Sequence, residues 1–449
     1  MNTFVTKSRF FLESKYYTLI LAFITLISHT FSIEPLGFSV IVLTAIWGLL
    51  TCEDLKFLIS PLFFFIFCFS EKSVASKIFF SKPYIIAIIC TSIVVVGAFV
   101  AHFIINKRNI NIKAFKKSRL TIGLSFLTCS FFLNGVLNFD NYEYGNIIYA
   151  SIISLCLFGV FFLFTISLKN KEDLKDSLFF VLFLLSLVLT LELYLSFFNQ
   201  IQINNSEIVK ESIMFGWGMW NNMGGMLVFL LPIHFYYAST IKKFGFAFYL
   251  TGLISFVAIV LTLSRSSLLA AIISVIICAI STCFFGKNKK INRIITISLA
   301  IIGTIGIIVL WNKISSILGD YINRGFDDNG RFEMYIHGLW NFLENPLFGG
   351  GFYSAYKLEH QFISFLPFRY HNTFIQMAGT CGAFGLVSYC LHRIQTIKLL
   401  WSKKSLYTFF AAISIGSMLF CSLLDNHFFN LYPTFIYAVI LVVIEKCDA

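Results

Sequence analysis

Charge is scarce in this chain. Only 12% of its 449 residues are Asp, Glu, Lys or Arg, about half the ~25% of an ordinary soluble domain. With 58% hydrophobic residues and a mean hydropathy of +0.82, a water-soluble globule is excluded. Strict in-out alternation is also missing, which excludes a membrane β-barrel. Cysteine is present eleven times, yet never as CxxC and never in the one large loop. Neither a disulfide framework nor a zinc site is supported, and the cysteines read as small hydrophobes. No small-residue cleavage site follows the first apolar segment, so no cleavable signal peptide is expected.

In place of charge the chain has solid apolar runs of about 20 residues from end to end, each long enough to cross a ~30 Å hydrocarbon core. Candidate spans lie near 17–34, 36–52, 56–70, 83–106, 120–138, 145–168, 177–199, 218–238, 245–262, 266–286, 294–312, 372–392, 405–424 and 428–445. The expected fold class is all-α, a polytopic bundle of about 12–14 transmembrane helices. Threading these spans with the N-terminus inside puts 24 of the 34 Lys and Arg on the cytoplasmic side, as the positive-inside rule requires. The net charge of +12 is therefore a topology signal, and no nucleic-acid partner is expected. The segment EKSVASKIFFSK, 71–82, fits this threading least well.

The long hydrophilic connection 313–371 then falls outside, and loops of this length are usually functional. Within it, DDNGRFEMYIHGLWNFLENPLFGGGFYSAY predicts a helix opening near Arg331, capped by Asp328 or Asn329 and stopped by Pro346 and the glycine run 349–351. Phe332, Ile336, Leu339, Trp340 and Leu343 recur at helical spacing, so the helix is amphipathic and suited to the membrane–water interface. Arg331 is either a solvated or snorkelling charge or a bidentate grip for phosphate. The glycines read more readily as a helix stop than as a phosphate cradle.

Arg265, in AIVLTLSRSSLLAAIISVI, marks an outer turn between two spans. A guanidinium there is costly unless paired or facing a polar cavity; the two serines after it could cap the next helix. His371, in FRYHNTF, stands ahead of an apolar helix. It is either a helix-capping histidine helped by Asn372 or a base, since a neutral imidazole accepts a hydroxyl proton at neutral pH. Possible supporting residues on the same side are Arg369, Asn372, Asn222, Trp217, Asp425 and His427. Trp217 and Trp220, in GWGMWNNMGGM, serve either as interface anchors or as a sugar-stacking platform. Glu192 lies near the outer end of its span, while His234 and His102 read as structural.

LTLSRSSLLAA, NGRFEMYIHGLWNFLENPLFGGGFYS and YHNTFIQMAGTCGAFGLVSY together resemble three ordered blocks of the O-antigen ligase / O-antigen polymerase superfamily. The detailed likeness covers about residues 215–400. It implies a GT-C-like, metal-independent membrane glycosyltransferase with no cofactor, taking a glycan from an undecaprenyl-diphosphate carrier at the outer face of the bacterial cytoplasmic membrane. Carried over by motif, Arg265 and Arg331 would hold the diphosphate and His371 would deprotonate the acceptor. The implied partners are the lipid-linked oligosaccharide donor, a glycan acceptor, membrane lipid and a chain-length co-polymerase.

Three parts are expected: N-terminal spans 1–212, a core 213–400 containing the loop 313–371, and C-terminal spans 401–449. Polymerisation of repeat units into O-antigen, capsule or exopolysaccharide is favoured over ligation to lipid A–core. The reason is that LHRIQTIKLL, 391–400, looks like members from organisms without lipopolysaccharide. A transporter or flippase is disfavoured, because internal repeats and mid-membrane charges are absent from the pattern.

Overall fold

The computed structural model describes residues 3–68, 82–139, 144–169, 173–203, 214–215, 218–309, 311–312, 315, 330–354 and 369–447. The chain is an all-α bundle whose only strands among these residues are the two-residue pair Met214–Phe215 and Gly218–Met219. In chain order the helices are α1 Thr3–Leu12, α2 Lys15–Thr30, α3 Glu34–Thr51, α4 Ile59–Phe64, α5 Lys82–Ile105, α6 Ile112–Lys117, α7 Thr121–Leu137, α8 Gly145–Ser154 and α9 Val160–Ser167. There follow α10 Leu174–Ile203, α11 Trp220–Thr240, α12 Gly245–Leu261, α13 Arg265–Phe284, α14 Lys289–Val309, α15 Arg331–Glu344, α16 Thr373–Ser402, α17 Leu406–Asp425 and α18 Leu431–Cys447. Among the described residues seven helices are long and apolar enough to cross a membrane, or up to nine if two bent pairs each count once. This is a multi-pass membrane protein.

The helices sit at different depths in the bundle. α11 is enclosed by protein, with 89% of its membrane window buried, although it is the least apolar of the seven spans and carries Asn221, Asn222 and His234. It packs against α10, α12, α13 and α17. α5 and α14 lie at the perimeter, with Ile93, Ile104, Ile294 and Ile302 all exposed, the surface expected to face lipid.

Two expected spans are corrected. The segment 56–70 is no straight crossing. Leu55–Leu58 and Phe65–Cys68 are 3-10 turns flanking the six-residue α4, and Leu55, Phe57, Phe63 and Phe67 are buried in the core. Such a short broken stretch fills the bundle interior.

The segment 372–392 is a helical hairpin. Within α16, Gly382 has φ 65° and ψ −164°, which no helix contains. Phe374 and Tyr389 are fifteen residues apart, a separation of about 22 Å in a straight helix, yet their ring centroids are 5.5 Å apart. A Cβ on Gly385 would likewise stand 3.1 Å from Cε of Met377. The first arm, 373–381, therefore folds back along the second, 383–402, and the second is long enough to cross alone.

The apex of this hairpin is held by the glycine run. Ala383 and Phe384 donate their N–H groups to the carbonyls of Pro346 and Leu347 (2.8 and 3.1 Å), while Gly350 and Gly351 donate to those of Gly379 and Thr380 (2.9 and 3.2 Å). Asn134 at the end of α7 donates to the carbonyls of Thr380 and Phe348, and Asn138 to that of Gly349. Irregular backbone at such a place is tolerated because protein groups satisfy it. The glycines are thus neither a loose helix stop nor a phosphate cradle. Gly349 and Gly351 have φ +75° and +99°, and a Cβ on Gly349 would run into the Thr380 carbonyl.

Candidate active site

Four helix ends meet where His371 lies. α11 and α13 begin there, α17 ends there, and the turn 426–430 leads into α18. The close contacts are carried by small residues: Gly224 packs against Ser267 and Thr262, Gly225 against the His427 imidazole, and Cys421 Sγ lies 3.8 Å from the Ser266 carbonyl. α15 packs on the first hairpin arm through Gly338 and Gly379. Its apolar residues Phe332, Leu339, Trp340 and Leu343 all stay exposed, so its free face is the one expected to meet the interface.

His371 takes a left-handed backbone, φ +53°, which side chains other than Asn, Asp and His seldom accept. Its Nδ1 lies 2.8 Å from Oδ1 of Asp425, whose side chain is only 8% exposed against 27% for the imidazole. A buried carboxylate at Nδ1 fixes the tautomer with the proton on Nδ1, leaving the Nε2 lone pair to accept a proton. Of the two capping residues that the sequence offered, Asn372 does the capping alone. It is the N-cap of the first arm, its Oδ1 accepting from the N–H groups of Phe374 and Ile375 (2.9 and 3.2 Å). The histidine is therefore free of capping.

Arg331 is the first residue of α15, where the sequence puts it, but the cap is Gly330 at φ +74° with no side-chain hydrogen bond. Asp328 and Asn329 lie outside the described residues. The Arg331 guanidinium is half-buried and close enough to act electrostatically on the Asp425 carboxylate. Arg265 opens α13 with its side chain exposed. The helix is capped by no serine side chain, because the N-cap Ser264 turns its hydroxyl toward Ser266 and Ser267 (3.3 and 2.9 Å). Arg265 thus stands on the residue before Ser266, whose carbonyl touches Cys421, one turn from Asp425.

The supporting residues form a second polar group beside the dyad. Arg369 donates to Oδ1 of Asn430, and Asn430 donates to Asn222 (2.9 Å) and lies 3.4 Å from Nδ1 of His427. Burial pushes the pKa of His427 down to about 4; Asp425 pulls it up, while Arg369 and His371 push it further down. Asn426 donates to Gln376, which also accepts the Tyr370 N–H (2.6 and 2.8 Å). Trp217 lies outside the described residues. Glu192 forms a buried pair with His29 (3.1 Å) on α2. His234 is bonded to Ser186 and Thr251, and His102 to the Leu49 carbonyl, within the bundle.

Sequence reading missed two things here. Tyr370 is fully buried, with its hydroxyl among Asn341, Ser354 and His337, which ties α15 to the residue before the candidate base. Arg393, assigned to a cytoplasmic loop, is instead held in the second arm between Tyr389, Phe428 and Tyr437, its guanidinium carbon 4.2–5.0 Å from the ring centroids. The four-residue step from Tyr389 to Arg393, which sets both on one helix face, was the only available hint.

The fold and the site together define a multi-pass membrane bundle with a carboxylate-oriented histidine and arginines at converging helix ends. Residues 250–390, from α12 into the second arm of α16, match the family described as O-antigen ligase, which supports a likeness of this part of the chain to the O-antigen ligase/polymerase-like superfamily. The match contains Arg265, Arg331, Arg369, His371 and Asn372; Asn222, Asp425 and His427 lie beyond it. None of the curated proteins matches the chain.

Proposed function

We propose that this protein polymerises undecaprenyl-diphosphate-linked oligosaccharide repeat units into surface polysaccharide at the outer face of the cytoplasmic membrane. The observation that supports this reading most is the Asp425–His371 pair, with Arg331 in electrostatic reach of its carboxylate. The acceptor hydroxyl gives its proton to Nε2 of His371 as its oxygen bonds to the anomeric carbon of the donor. The bond from that carbon to the diphosphate breaks, and the lipid diphosphate leaves with the electron pair. Arg331 and Arg265 offset the charge that develops on it. Since diphosphate already leaves readily, the protein has mainly to position two sugars and remove one proton.

The test is a deletion strain complemented with His371→Asn. Asparagine accepts a left-handed backbone, so this variant removes the base with little strain. Polymer ladders should vanish while membrane-inserted protein stays at wild-type abundance and lipid-linked single repeats accumulate. Undiminished ladders would remove His371 from the mechanism. Long chains present but unattached to lipid A–core would indicate a ligase instead.

A further inference from the structure

We propose that the rim opposite the active site binds an anionic phospholipid, with its acyl chain between the ends of α13 and α16 and the start of α17, and its phosphate on Lys403 and Lys404. A cavity of about 620 Å³ lies there, walled by Phe285, Ile397, Leu400, Trp401 and Phe409. That is within the range of small-ligand sites, about 300–1,000 Å³. The Phe285 and Phe409 rings, 6.0 Å apart, join α13 to α17 across it. Both helices have their other ends at the His371 site, so the cavity is separate from the diphosphate position proposed above and does not depend on it.

Two features select the occupant. The wall is apolar and faces outward, with Ile397 and Trp401 62% and 83% exposed, which suits a hydrocarbon chain at bilayer level. The charge at the mouth is cationic: Lys403 and Lys404 line it beside Ser405 and Thr408, and among the described residues no acidic one does. The chain leaving Phe285 adds Lys287, Lys289 and Lys290 to the same rim. Lysines on flexible stems at the headgroup level attract anionic lipid, each contributing appreciably, and an exposed tryptophan is at home at that depth. An apolar slot beneath a cationic mouth matches an amphiphile carrying one phosphate.

The experiment is native mass spectrometry of the delipidated full-length protein, titrated with phosphatidylglycerol and with phosphatidylcholine of identical chains. Phosphatidylglycerol should bind about tenfold tighter or more, the size expected from two lysines near one headgroup. The K403Q/K404Q double variant should lose that preference, and Ala412→Trp, which fills the cavity, should weaken retention of both lipids. Equal binding of the two lipids by the wild-type protein would overturn the proposal. So would a preference that survives in the double variant, or full competition by inorganic phosphate, which lacks a chain. Should Ala412→Trp fail to fold, the wild-type comparison and the lysine variants still decide.

Discussion

His371 stands in a left-handed backbone conformation, and strained backbone of this kind clusters at functional sites. In the proposed transfer His371 depends on Asp425. Asp425→Asn keeps the shape but favours the wrong tautomer, so transfer should fall by about 10²–10⁴-fold, the range that a positioned base supplies. An assay on purified protein with lipid-linked repeats reads this directly, and a loss under tenfold would demote the carboxylate. Arg331→Lys keeps the charge but loses the two-pronged geometry; its turnover should drop while its response to salt stays near wild type.

His427 gives a pH prediction. Its pKa is about 4 in the fold against an ordinary 6.5. Between those values the unfolded chain binds a proton that the folded one refuses, so stability falls as pH drops from 6.5 toward 4, by up to about 3 kcal/mol. Melting temperatures in detergent should decline more steeply for wild type than for His427→Gln, and parallel curves would contradict the assignment. The sequence made His371, Arg265 and Arg331 visible through local pattern. It could not pair Asp425 with His371, because 54 residues separate them and the two meet only through packing of α17 on the first arm.

At the scale of elements, the hairpin in α16 is the feature that hydropathy conceals. A straight span and a folded one can share the same apolar composition, and the only local sign of the fold is one glycine between Cys381 and Ala383. The meaning of that glycine lies in residues 346–351, more than thirty positions earlier, whose own glycines read locally as a helix stop. Gly382→Ala would set a Cβ against the Leu347 carbonyl at φ +65°, and should destabilise the protein by at least about 2 kcal/mol. Gly303→Ala in α14, where nothing lies within 4 Å, is the matched control and should be neutral or slightly stabilising. Thermal unfolding of the two variants side by side tests the hairpin. By contrast the start of α15 at Arg331 and the exposure of its aromatic face were fully legible, since both follow from spacing within fourteen residues.

Across the whole molecule, the sequence announces a multi-pass bundle through its charge deficit and apolar runs, and the family through three short blocks. Hydropathy alone does not separate crossings from interior segments, because the enclosed α11 and the broken stretch 55–68 are also apolar enough to read as spans. The distribution of Lys and Arg predicts that the C-terminus is cytosolic. A fluorescent protein that matures only in the cytosol, fused after Ala449, should therefore glow, and a dark but full-length fusion would reverse the orientation.

Asn134 of α7 and Asn138 just after it, which grip the hairpin apex, belong to a part of the chain outside the matched family segment. The first half of the polypeptide is thus no interchangeable anchor for a self-sufficient catalytic module. A chimaera that grafts 250–390 onto foreign leading helices would inherit Arg265, Arg331 and His371, yet would lose the Asn134 and Asn138 side of the clamp on their scaffold.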